Sequence, residues 1–420
     1  MVKMKVTGLL FVVGLGLVTL SVLAEDCVYP PGVKGILDVT KAPYFADNTG
    51  QRDCTAALIR AFDDALREDH QHMQEARALT KGIPKQSVYH DAKRGIYTAT
   101  ELSFEERQRI LKANPKALIG IERPKGVFPA QQAPAKILYF PNGTYLVSDT
   151  VTYSFTDLKV KFTEENRCIH FMGQSQQGTI IRLKDHAPGF SATTNKAVIN
   201  FTHGEWSNVA MQNTFENFTI EIGAGNPGAD GLEFFANNSG AIRNVTIRSL
   251  DKEKAGHAGL SLSVYNFSCV LAKNIEVDGF DYGVRVTQAR LYAVLEHVRV
   301  RNQRVTGFYL EDNNVALRGL VSSNKVPAVR VKGKSATLAL LDGDFAGGPS
   351  ESAAVECEGG FLFARDLKTS GYQVAVQHSG KTAVQGPNVA EYVSHSVFAL
   401  FPNQKKESLR LPIEETPEIS

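Results

Sequence analysis

Apolar and polar residues alternate with a period of two in many short segments of the C-terminal half, and the segments recur roughly every 24 residues. In one set the segment opens on a small residue: Gly231–Phe234, Gly259–Leu262, Gly283–Val286, Gly307–Leu310, Ala328–Val331 and Ala354–Cys357. In the other it opens on a polar one: Asn217–Ile220, Asn244–Ile247, Asn274–Val277 and His297–Val300. Period-two alternation predicts strands with one buried face. A fixed repeat of this length predicts a solenoid, in which each unit buries its apolar side only by stacking on its neighbours. Two strands are expected per coil, with the first full coil near 169–183 and the last near residue 380.

Asn217, Asn244 and Asn274 share one register, and His297, Gly319, Gly343 and Asp366 continue it. Asparagine tolerates left-handed backbone, and stacked amides can hydrogen-bond from coil to coil, so this register is expected to be structural. The Asn-x-Thr triplets at Asn217 and Asn244 then follow from strand position and not from glycosylation.

The N-terminal third differs. Residues 1–24 read as a signal peptide: Lys3 and Lys5, the apolar run Leu9–Leu20, and a cleavage site at Val22-Leu23-Ala24. The run is too short and glycine-broken for a permanent membrane span. The mature chain, 25–420, is expected to be one domain, secreted or periplasmic, soluble and free of the membrane. Asp53 is placed to cap a helix whose apolar positions are Ala57, Leu58, Ala61, Phe62 and Leu66. That helix would close the open end of the solenoid. Residues 67–135 are charged and lack the repeat; Ser103-Phe104-Glu105-Glu106 fits a capping box opening a helix to Ala113. This segment reads as a helical insertion, either solvated or a lid over a cleft. Residues 400–420 read as an acidic, proline-marked tail extended along the surface.

The formal charge is +2, and loss of Lys3 and Lys5 with the leader brings it to zero. A neutral chain has no overall bias toward nucleic acid or acidic membranes. The cysteines, Cys27, Cys54, Cys168, Cys269 and Cys357, match no zinc spacing. Cys357 alternates inward with Val355 and is expected to be a buried small hydrophobe. Cys27 and Cys54 are candidates for a bridge in an oxidising compartment.

Asp47-Asn48-Thr49-Gly50-Gln51-Arg52-Asp53-Cys54-Thr55-Ala56-Ala57 followed by Leu138-Tyr139-Phe140-Pro141-Asn142-Gly143-Thr144-Tyr145 resembles the start of the pectate-lyase-like superfamily. The closest resemblance is to its glycoside hydrolase family 28-related, or rhamnogalacturonase/epimerase-like, group. Asn226–Leu232, Asn237–Val245 and Gly279–Gly283 add to it. The resemblance implies an all-β solenoid, a right-handed parallel β-helix with an N-terminal capping helix, and action on polysaccharides. The Asn-Thr-Asp and paired-aspartate motifs of the family 28 hydrolases are missing, so their inverting mechanism is not carried over.

Candidate chemistry lies on the outward side of the strands that open on Gly or Ala. The first outward row reads Glu233, Ser261, Arg285, Tyr309, Arg330, Glu356, and the second Phe235, Ser263, Thr287, Glu311, Lys332, Glu358. At the strand spacing of about 4.8 Å, Arg285, Tyr309 and Arg330 span roughly 10 Å, about two sugar units, with Glu311 and Lys332 beside them. These five are the catalytic candidates. In β-elimination from a uronate, a cation neutralises the carboxylate, arginine or lysine serves as base, and Tyr309 protonates the leaving oxygen. Hydrolysis needs two carboxylates, about 5 Å apart for retention and wider for inversion. Glu233 and Glu311 would stand about 14 Å apart, too far; Glu311 with Asp312 or Glu296 stays open. Elimination therefore fits this face better. The same charges also fit a solvated ladder, with Glu311 beside Lys332 and Glu356 beside Arg330.

Glu233, Asp230, Tyr282 and Trp206 are the substrate-binding candidates. Asp230 and Asp281-Tyr282 are expected in turns before strands. Trp206, the one tryptophan, would either stack on a sugar ring or plug an early coil. His257 follows a charged loop and is expected at the surface. No acidic cluster forms a calcium loop, so no metal or cofactor is expected; calcium would suit an acidic sugar but has no motif here. The expected function is cleavage of an acidic, pectin-like polysaccharide by β-elimination or hydrolysis. The alternatives are a non-catalytic carbohydrate-binding surface protein and a hydrolase of a neutral β-glucan.

Overall fold

The computed structural model describes residues 26–29, 35–65, 89–91, 96–98, 109, 112–113, 118–120, 136–153, 169–201, 212–236, 239–263, 270–287, 292–348, 351–395, 410 and 412–415. The expected leader, Trp206, Cys168, Cys269 and most of the insertion and tail lie outside these residues.

Two sheets build the solenoid: the larger starts at Ile36–Asp38, and the smaller joins it from Lys196–Asn200 onward. The smaller stacks Lys196–Asn200, Ala229–Glu233, Ala258–Leu262, Tyr282–Val286, Thr306–Glu311, Val329–Lys332, Ala353–Cys357 and Val374–His378, each parallel to the next. The larger contains the long strands Thr214–Ile222, Gly240–Ser249, Val270–Asp278 and Tyr292–Arg301, likewise parallel. The chain alternates between the sheets, coil after coil, in a right-handed parallel β-helix. The coils begin earlier than the repeat suggested, since Ile36–Asp38 already pairs with Ile137–Tyr139. The expected two short strands per coil are also corrected. The segments opening on Asn are the second halves of long strands bent at the asparagine. Their first halves carry outward apolar residues such as Leu271 and Val294, which hide the alternation.

Each bend is left-handed: φ is 64° at Asn217, 53° at Asn244, 57° at Asn274 and 54° at His297. Asn244 Nδ2 donates to Asn217 Oδ1 at 3.0 Å, and Asn274 Nδ2 donates to Asn244 Oδ1 at 3.0 Å. The register passes through Gly319, then Asp342 and not the expected Gly343, then Asp366. Asn244→Ala removes two hydrogen bonds and leaves an alanine in left-handed backbone, an expected loss of about 2–3 kcal/mol in urea unfolding. Asn244→Gly should recover the backbone part alone.

The small residues opening the strands of the smaller sheet form a second ladder. A Cβ on Gly259 would meet Val277 Cγ1 at 2.3 Å and Gly283 O at 2.8 Å, so the facing sheet excludes larger side chains there.

Asp53 accepts the Thr55 amide at 2.9 Å and starts the capping helix, residues 55–65. Phe62 projects from it into a cluster with Tyr153, Phe171 and Phe201, at ring separations of 5.4, 4.9 and 5.7 Å. At the other end the chain reverses. Lys381–Val384 pairs antiparallel with Val374–His378, and Asn388–Val393 with Phe361–Ser370, which covers the last edges. Within the insertion, three short strands, Tyr89–Asp91, Ile96–Thr98 and Leu118–Gly120, form a small sheet that the sequence reading missed. Cys27 and Cys54 are not bridged. Cys54 is buried and donates to Leu146 O at 3.2 Å, while Cys27 sits on the segment bonded to Gln174 O. Cys357 is buried, as its alternation predicts, and burial pushes its thiol up to about 11. Among the described residues no helix is long and apolar enough to cross a membrane.

Candidate active site

The first outward row is in register through the whole smaller sheet: Asn200, Glu233, Ser261, Arg285, Tyr309, Arg330, Glu356 and Gln377. Its far half is internally paired. Arg330 Nε and Nη2 both donate to Glu356 Oε2, at 2.9 and 2.8 Å, and Lys332 Nζ stands 3.5 Å from Glu311 Oε1. Those contacts match the solvated-ladder reading of Arg330, Glu311 and Lys332. Glu296 belongs to the larger sheet, where it pairs with Lys273, so it is not a partner for Glu311.

The near half is different. Arg285 Nη1 donates to Ser263 Oγ at 3.1 Å, and the guanidinium lies 5.9 Å from the centre of the Tyr282 ring. Among the described residues no carboxylate forms an ion pair with it. Tyr282 meets Tyr309 edge-on at 5.3 Å. The Tyr309 hydroxyl donates to Glu311 Oε2 at 3.1 Å. Burial, then that hydrogen bond, pushes the phenol up to about 12, so it carries its proton at neutral pH.

Next to this row lies a group that sequence reasoning separated. His257 is not a surface residue: its side chain is 15% exposed. Its Nδ1 stands 2.6 Å from Asp230 Oδ1, which also accepts the Ala258 amide at 2.9 Å. With Nδ1 donating to the carboxylate, Nε2 accepts from Asn195 Nδ2 at 3.3 Å. Asp230 and Tyr282 lie within strands, not in turns before them. At Gly231-Leu232 two successive positions face inward: a Cβ on Gly231 would meet Ile247, and Leu232 is fully buried. Asp230 and Glu233 therefore both face outward although three residues apart. Strict alternation cannot reveal that step.

Burial pushes the Glu233 carboxyl up to about 7; the Asp230 charge adds to this, while Arg285 and His257 oppose it. No described residue donates a hydrogen bond to it. Glu233 can thus give or take a proton near neutrality, near a positioned imidazole and a cation. Among the described residues no group of His, Cys, Asp or Glu is arranged to hold a metal ion.

Residues 42–331 match the model of a family described as rhamnogalacturonase A/epimerase, pectate lyase-like. No curated protein matches the chain. Among solved structures, an ORF18 protein of Geobacillus virus E2 is 10% identical over 82% of this chain and 57% of its own, with a TM-score of 0.38. A carrot pectin methylesterase is 14% identical over 61% of this chain and 80% of its own, with a TM-score of 0.37. The A-module of the mannuronan C-5 epimerase AlgE6 of Azotobacter vinelandii is 13% identical over 82% of this chain and 90% of its own, with a TM-score of 0.34. The chain spans little more than half the length of the viral protein. The family match runs from the N-terminal cap through most of the coils, and the chain belongs to the rhamnogalacturonase A/epimerase, pectate lyase-like family.

Proposed function

We propose that the chain is an exported, single-domain enzyme that cleaves a uronate-containing polysaccharide by β-elimination on the outward face of the smaller sheet. The observation that carries this reading is Glu233, a carboxyl near neutrality two rungs from Arg285, a cation with no carboxylate partner among the described residues. Arg285 neutralises the uronate carboxylate and so acidifies the neighbouring C5 proton. The Glu233 carboxylate takes that proton and, as the carboxylic acid it has become, returns it to the leaving oxygen, while Tyr309, three rungs away, contacts a neighbouring sugar. This assigns the base to Glu233 and leaves Arg285 as the electrostatic partner. Asp230 is occupied by His257 and the Ala258 amide, so it orients the imidazole and is not free to activate water. Tyr282 offers an aromatic wall to the sugar ring. The second reading, hydrolysis, takes Glu233 as the raised acid.

The test is incubation with a panel of uronate polymers and neutral β-glucans, following unsaturated-uronide absorbance and reducing ends together. Growth of absorbance is expected; reducing ends alone select hydrolysis. Arg285→Ala should lower turnover by about 10²–10⁴-fold with unchanged melting, and Tyr309→Phe should weaken substrate binding more than turnover. Silence on every substrate, with binding retained, would leave a carbohydrate-binding protein and sink the enzyme reading.

A further inference from the structure

The Arg285 guanidinium is backed by two serines of the preceding coil. Ser261 lies in the strand Ala258–Leu262, which pairs with Tyr282–Val286, and Ser263 directly follows that strand. Ser261 is buried and Ser263 half-buried. Ser261 Oγ donates to Ser263 Oγ at 3.0 Å, and Arg285 Nη1 donates to the same oxygen at 3.1 Å. A serine hydroxyl has two acceptor positions and one proton to give. Both acceptor positions of Ser263 are therefore filled, and its proton must be donated elsewhere. Among the described residues none accepts it.

The remaining tetrahedral direction at Ser263 Oγ places an acceptor about 5 Å from Arg285 Nη1. One carboxylate bridges that gap, with one oxygen on the guanidinium and the other on the hydroxyl. The two side chains offer donors only. A sugar hydroxyl brings a proton of its own and finds no acceptor on either of them, whereas an ionised carboxylate only accepts. On the uronate reading of the cleft, we propose that Ser263 is a second, specificity-determining contact for the carboxylate held by Arg285, fixed as a donor by Ser261 behind it. When the C5 proton leaves for Glu233, its electron pair spreads onto the same carboxylate oxygens. A donor already aimed at one of them then binds more strongly in the transition state than in the ground state. The Ser263 proton is shared with the substrate and not transferred.

The test is titration of the whole protein, by ligand-observed NMR, with D-galacturonate and with its neutral counterpart D-galactose. Neither has a glycosidic bond to break, so binding is read whether or not polymers are cleaved. The wild type is expected to prefer the uronate. Ser263→Ala should lower that preference about ten-fold with unchanged melting, the worth of one hydrogen bond to a charged group. Ser263→Thr keeps a hydroxyl and should keep most of the preference. A residue that only holds Arg285 in place adds nothing once Arg285 is gone, so Ser263→Ala is expected to lower the preference again in the Arg285→Ala background. No preference in the wild type would overturn the carboxylate site. A preference that survives Ser263→Ala, or no effect of Ser263→Ala in the Arg285→Ala background, would overturn the role of Ser263 and leave the proposed function standing. A preference that depends on Ser263 in a protein that cleaves no polymer would sink the activity and leave the site.

Discussion

Glu233→Gln is expected to lower turnover on a uronate polymer by about 10²–10⁴-fold and, at the same time, to stabilise the folded protein at alkaline pH. Both effects have one source. Burial raises the carboxyl from the ordinary 4.5 to about 7, so the folded chain holds a proton that the unfolded chain has released. Between those values the native state binds more protons, and stability falls as pH rises. Above about pH 7 the whole cost of the buried charge is present, roughly 3 kcal/mol for a shift of this size. Glutamine removes the charge and keeps the shape. Unfolding of the two proteins should therefore coincide at pH 4 and separate by up to that amount at pH 8, with the variant the more stable. The pH profile of turnover also decides the role of Glu233. A base gives activity that rises through about pH 7, and an acid gives activity that falls through it. A variant with full activity and unchanged stability at pH 8 would remove Glu233 from the site.

The largest stability loss is expected for Phe171→Ala. Phe171 is fully buried and touches Phe62 of the capping helix at 4.9 Å, Phe201 at 5.0 Å and Phe140 at 5.5 Å. Truncation removes transfer energy and leaves a cavity among rings that cannot collapse freely, about 3–5 kcal/mol. Coils contact only their neighbours, so the loss should be local first. Exchange should accelerate in residues 55–65 and Ile169–Gly173 before it does in Val329–Lys332. Uniform acceleration along the chain, or a loss below about 1 kcal/mol, would contradict this picture of the cap.

How far the chain could be read beforehand depended on whether a residue's role lay within one alternating segment. The row from Glu233 to Glu356 was legible because each member sits between two inward apolar residues. The asparagine register was legible because only a few residue types accept its left-handed backbone. It slipped at Asp342, where an adjacent glycine looked the better candidate. The first halves of the long strands were obscured by outward Leu271 and Val294. The pairing of Asp230 with His257 joins two coils across the inward step at Gly231-Leu232, and nothing in a period of two announces such a step. Glu233 was first compared with Glu311, which is far away. The carboxyl that matters to it, Asp230, is three residues back in its own strand.

Each coil of the smaller sheet adds one member to the outward row, so the row's length is counted in whole rungs. No loop sets the separation of Glu233 from Tyr309; the two intervening strands do. Deleting or duplicating one coil would change that separation by a single step of about 4.8 Å and by nothing smaller. On the proposed function, selectivity for the spacing of sugars along a polymer changes only in discrete jumps, as on a ratchet. Point substitutions on the row retune what is recognised at each tooth, while the pitch itself stays fixed.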